Sequence, residues 1–166
     1  MPSILAALSL SLLGTTPVFA SDLTIDAFAS NCFSPFMTGS RAAGVLALDG
    51  GRYDFYDLRP FRPGTPVSEP AGRAPTPGTD RRCEVAFDGD HVAESVAAIE
   101  EALALEDITE LADVPPDFPT LAGAAVVEAR FLNPNRIAVV QVGTRPGPNG
   151  VETFMSVERL LPLNGE

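Results

Sequence analysis

The chain has one histidine, His91, so any catalytic triad built on a serine or cysteine nucleophile would have to run through it. No Gly-x-Ser-x-Gly motif accompanies it. His91 falls in the first turn of a predicted helix, where the positive end of the helix dipole disfavours an imidazolium, and it reads as a solvated or capping residue. Asp88, Asp90 and Glu94 surround it without the twelve-residue spacing of oxygen ligands that a calcium loop requires. Asp54 and Asp57 flank aromatic residues and are the nearest approach to an acid–base couple. Acids are so common here, 22 in all, that such a pair means little. Gly147 and Gly150 belong to a hairpin rather than a phosphate cradle, because no strand-to-helix junction follows them.

Candidates for ligand or partner contact are Tyr53, Tyr56, Arg81 and Arg82. The two tyrosines are all the tyrosine in the protein, and on one strand they could face a groove, although aromatics on strands more commonly pack in a core. Arg81-Arg82 is the densest cationic spot in an acidic chain. It could hold an anion, with an internal ion pair to a strand neighbour as the expected arrangement. No catalytic residue, cofactor or metal ligand is assigned: a zinc site would need more than one histidine and two distant cysteines.

Cys32 and Cys83 are the only cysteines and no Cys-x-x-Cys occurs, so a structural disulfide is the expected pairing. Closing that loop stabilises the fold by about 4 kcal/mol on the chain-entropy account. Apolar spacing over Ile25, Phe28, Ala29 and Cys32 predicts a helix capped by Asp22 or Thr24 and broken at Ser34-Pro35. A second helix follows, capped by Thr38 or Ser40 and stopped at Gly50-Gly51. Strands are predicted at 52–58 and 81–87. Between them, residues 60–80 are rich in Pro, Gly, Ser and Thr and read as a mobile surface loop.

After the turn Asp88-Gly89-Asp90, with Asp90 as the expected N-cap, Val92, Val96, Ile99 and Leu103 share one face of a core-docking helix. Residues 107–120 read as a connector. Strands at 123–132, 137–143 and 151–160 form an antiparallel meander. In the middle one, Ile137, Val139 and Gln141 share one face and Ala138, Val140 and Val142 the other, as in a strand covered on both sides. The expected fold class is α+β: a mostly antiparallel sheet of about five strands, helices packed on one face, and one disulfide.

An apolar run from Ile4 to Leu13, then Val18-Phe19-Ala20, has the pattern of a signal peptide cleaved after Ala20, although the leading MPSI carries no Lys or Arg. The run is about half the ~20 residues that span a bilayer. The expected organisation is thus a signal peptide at 1–20 and a single domain at 21–166, located in the periplasm or secreted, without membrane insertion. A net charge of −11 and a pI near 4.4 disfavour nucleic acid and anionic lipid as partners.

Asn31-Cys32-x-x-Pro35, followed by Cys83-Glu84-Val85 leading into a helix, resembles small exported proteins of unknown function from high-GC bacteria. The likeness covers Phe28 to Leu105, and an all-arginine basic complement fits it; no activity comes with it. The functional expectation is a small exported binding or interaction module, non-catalytic, taking an envelope protein or a small ligand. The alternative is a small exported hydrolase using carboxylates or His91.

Overall fold

The computed structural model describes residues 20–48 and 51–160. The signal peptide expected over 1–20, apart from Ala20, lies outside the described residues, as do Gly50 and the tail at 161–166. Among the described residues three helices, α1 (Ala20–Asn31), α2 (Gly39–Val45) and α3 (Val92–Leu105), accompany six strands: β1 (Arg52–Asp57), β2 (Thr79–Asp88), β3 (Leu111–Ala112), β4 (Ala124–Asn133), β5 (Arg136–Gly147) and β6 (Gly150–Leu160). All strand pairs are antiparallel, and the spatial order is β1-β2-β6-β5-β4-β3.

The expected α+β class holds, with six strands where about five were expected. The additional one, β3, is two residues long, too short for alternation to reveal. It pairs with Ala129 and Arg130 on the outer edge of β4. The β4–β5–β6 meander follows the expected course, and β5 is buried on both faces.

The two faces of the sheet are covered differently. On one, Phe28 of α1 and Ile99 and Leu103 of α3 pack on Val85, Phe87, Val140, Val142, Met155 and Val157. On the other, a smaller cluster of Phe118, Ala129, Ile137, Val139 and Leu160 lies beneath the 113–122 connector, whose Leu121 amide donates to the Gln141 side chain at 2.8 Å. The rest of that second face is largely ionic, with the rings of Tyr56 and Phe154 among its arginines.

Local signals explain most element ends. The Thr38 hydroxyl accepts from the Arg41 amide at 3.2 Å and caps α2 as expected, but the helix stops at Val45, well before the glycine pair. Asp22 lies in the first turn of α1 and Thr24 inside it, so neither is its N-cap. Gly89 has φ +100°, which its turn requires. The N-cap of α3 is His91 rather than Asp90; the Asp90 carboxylate still reaches the Val92 amide at 3.4 Å, while the His91 amide donates to Thr153.

The end of α3 is a Schellman motif, closed by Ile108 N–H to Leu103 C=O at 2.8 Å and Asp107 N–H to Ala104 C=O at 3.2 Å. Its left-handed position holds Asp107, φ 58°, instead of the usual glycine. That turn folds Ile108 back against the core.

Candidate functional site

The disulfide joins Cys32, one residue past α1, to Cys83 in the middle of β2, with Cα atoms 5.6 Å apart. It holds the end of α1 on the sheet next to Arg81 and Arg82. Alternation along β2 then sends those two arginines to opposite faces.

Arg82 points to the second face. Its guanidinium is fully buried, pairs with Asp54 at 2.6 Å and lies 4.8 Å from the centre of the Tyr56 ring. It also donates to the carbonyls of Arg73 and Ala74, which strap the far part of the 60–80 segment over this face. Arg73 in turn bonds Glu158 at 2.7 Å and Glu84 at 3.3 Å. Arg145 bonds Glu84 at 2.9 Å and Glu152 at 2.7 Å, and Arg52 reaches Glu152 and Asp88. Burial works against the charge of Arg73, but the hydrogen bonds it donates to Glu158 and Glu84 outweigh it and raise its pKa. The Tyr56 hydroxyl has no hydrogen-bond partner among the described residues, and burial, with Glu158 adding to it, pushes its pKa up to about 12.

Arg81 points to the helix face. It pairs with Asp57 at 3.0 Å and donates to the carbonyls of Ser34 and Met37, so it holds the turn between α1 and α2. Arg159 bonds Asp57 at 3.0 Å and Asp80 at 2.6 Å, and Arg136 bonds Asp80 at 2.9 Å. Burial lowers the Arg81 pKa to about 10, against the opposing pull of Asp57.

Asp80 reaches this group because it is the extra residue of a β-bulge between Thr79 and Arg81. A second bulge, between Phe131 and Asn133, lies at the same end of the sheet. Bulges twist a strand and re-aim its side chains, and here two of them open one end of the helix face.

The opening is a cleft of about 570 Å³. Arg81, Ala138, Val157 and Arg159 of the sheet line it, with Cys32 and Phe33 beyond α1, Glu106 and Ile108 at the end of α3, Leu132 and Arg136 at the β4–β5 turn, and Arg59, Pro60 and Phe61 after β1. One part of the wall is therefore apolar and the other carries four guanidiniums. At the mouth, Phe61 stacks edge-on against Phe36 with centroids 5.3 Å apart, and Arg62 sits 4.7 Å from the Phe36 ring. The volume lies within the roughly 300–1,000 Å³ typical of small-molecule sites.

The four contact candidates do not converge. Tyr53, half exposed, and Arg81 are on the helix side of the sheet; Tyr56 and Arg82 are buried on the other. Only Arg81 lines the cleft. Both arginines form the expected ion pairs with a neighbouring strand. Asp54 and Asp57 are likewise separated, Asp54 held by Arg82 and Asp57 by Arg81 and Arg159. The imidazole of His91 folds over Gly89, where an added Cβ would meet Nε2 at 2.7 Å, and beside Phe87. Among the described residues no group of three or more His, Cys, Asp or Glu side chains is placed to hold a metal ion, and no helix is long and apolar enough to cross a membrane.

Arg59, Arg136 and Arg159 went unnoticed in the sequence because their spacing follows no motif. Their shared position is set by strand order and the bulges. Comparison with known protein families, with characterised proteins and with solved structures finds no match to this chain.

Proposed function

We propose that the protein is a small exported, non-catalytic binding module of the periplasm or external medium, and that the cleft beside the disulfide is its ligand site. The observation that carries this reading is the cleft itself: ligand-sized, part apolar and part cationic, in a chain whose net charge is −11. Its walls come from six separate stretches of chain, fixed by a disulfide, a Schellman turn and two bulges, and such a preformed concavity binds with little ordering cost. The start of the 60–80 segment contributes Pro60 and Phe61 to it.

Export is supported by the leader pattern and by the disulfide, which persists in oxidising compartments. The non-catalytic reading draws on the lone imidazole, seated on Gly89 outside the cleft lining, and on the separation of Asp54 from Asp57.

A thermal-shift screen of the mature chain against mixed small molecules tests this. Compounds that bind the cleft raise Tm in the wild type and lose that effect in Leu132→Trp, which fills it. If the same compounds stabilise both proteins equally, or none stabilises the wild type, the cleft is not the site.

A further inference from the structure

We infer that the ligand of this cleft is an amphipathic organic monoanion, a carboxylate head on an apolar body, gripped by Arg59 and Arg136. The inference rests on the binding reading above and adds the chemistry of the ligand.

Charge placement makes the first part of the case. Four of the eleven arginines line one cleft, while the carboxylates among them are two, Asp57 and Asp80, both buried behind the wall; Glu106 is the one acid of the lining. On the opposite face of the same strands, Arg52, Arg73, Arg82 and Arg145 meet five carboxylates, Asp54, Glu84, Asp88, Glu152 and Glu158. The helix face therefore holds cations in excess, and a protein this acidic has no general reason to gather them there.

Availability makes the second. Asp57 and Asp80 engage Arg81 and Arg159, which are nearly buried. Arg136 commits Nη1 to Asp80 and keeps more than a quarter of its side-chain surface exposed. Arg59 is exposed, and its guanidinium has no partner among the described residues; only its backbone is used, the amide by Asp57 and the carbonyl by Arg159. A guanidinium fork matches a carboxylate with two parallel hydrogen bonds.

The remaining wall sets the body of the ligand. Phe33, Phe61, Ile108, Leu132, Ala138 and Val157 offer no charge and favour an alkyl or aryl group. Asp57, Asp80 and Glu106 set three carboxylates against the four arginines and leave one positive charge. One negative charge on the ligand, rather than two, is what the site balances.

Calorimetric titration of the mature protein with decanoate, decanol and acetate separates head from body. Decanoate binds, and decanol and acetate bind at least about tenfold more weakly, because each lacks one half of the recognition. Arg59→Gln weakens decanoate about tenfold and leaves decanol unchanged. Arg59 is the informative position because its side chain supports no other, whereas Arg136→Gln also removes one of the two arginines that hold Asp80. Decanol binding as tightly as decanoate and blocked by Leu132→Trp would overturn the anion assignment and leave the cleft as the site. Decanoate affinity unmoved by Arg59→Gln would likewise remove the arginine grip. If none of the three binds, and Leu132→Trp alters no ligand-induced shift in Tm, the ligand class and the binding reading fall together.

Discussion

Arg81 and Arg82 are neighbours in the chain, yet they serve two sites of opposite character. Arg82 closes the second face: its guanidinium is sealed under the Arg73–Ala74 strap, within a network where four arginines meet five carboxylates. Arg81 helps build the wall of a cleft where cations outnumber buried carboxylates and one arginine is unpaired among the described residues. A buried ionic network in which every cation has its carboxylate is a way of covering a sheet; a buried network with a cation left over can receive something. The strands are the same, so the difference comes from what crosses each face: a strap that donates its own carbonyls on one, and helix ends held back by bulged strands on the other.

Breaking the disulfide has the largest expected effect and falls on the cleft side. Cys32→Ser and Cys83→Ser each lower stability by about 4 kcal/mol, since either removes the same loop constraint. The double variant is no less stable than either single. Urea denaturation of the three checks this, and additive losses would mean that the two cysteines act independently. Cys32 and Phe33 line the cleft, so ligand binding weakens in all three alongside stability.

Next in size is the contrast between a closed and an open arginine. Arg82→Met removes a guanidinium with no exposed surface and leaves Asp54 and the strap carbonyls without their donor. We expect a loss of about 3 kcal/mol, the lower end for breaking a buried pair, because Asp54 keeps some contact with water. Arg59→Gln, at an exposed position without a side-chain partner among the described residues, stays within about 0.5 kcal/mol of the wild type. Thermal unfolding of both variants decides it; equal losses would erase the distinction between the two networks.

Much of the fold was legible because it follows from local patterns. Val92, Ile99 and Leu103 at helical spacing predict the docking face of α3, and alternation through Ile137–Val142 predicts a strand buried on both sides. Two cysteines without a Cys-x-x-Cys spacing predict their own bond. The site was much less legible. Period-two alternation says that Arg81 and Arg82 face opposite ways, yet as a pair of cations they invite being read as one patch. Asp80 and Leu132 sit at bulges, where alternation is interrupted, and a bulge leaves no mark in residue type here. The turn that brings Ile108 to the cleft uses Asp107 in place of the glycine that would have announced it. Arg59, Arg136 and Arg159 lie far apart in sequence and meet only through the order in which the strands pair.

The smallest effect is alkaline, and it has opposite signs on the two faces. Tyr56, on the closed face, is raised by burial and by Glu158 from the ordinary tyrosine value of about 10 to about 12, so its neutral form is the one the fold favours. Its contribution is complete below pH 10 and is lost as the pH rises through 12. Arg81, on the cleft face, is lowered by burial to about 10, so the unfolded chain binds more protons above that pH and the Arg81 contribution grows as the pH rises. Comparing wild type with Tyr56→Phe separates the two, because Arg81 acts equally in both. At neutral pH the variant stays within about 1 kcal/mol, since the hydroxyl it removes has no hydrogen-bond partner among the described residues. Between about pH 9 and about pH 11 the wild type loses more stability than Tyr56→Phe, read from Tm at each pH. Parallel curves for the two proteins would mean that the closed face admits water to the phenol, and the contrast with the cleft would shrink to the count of charges alone.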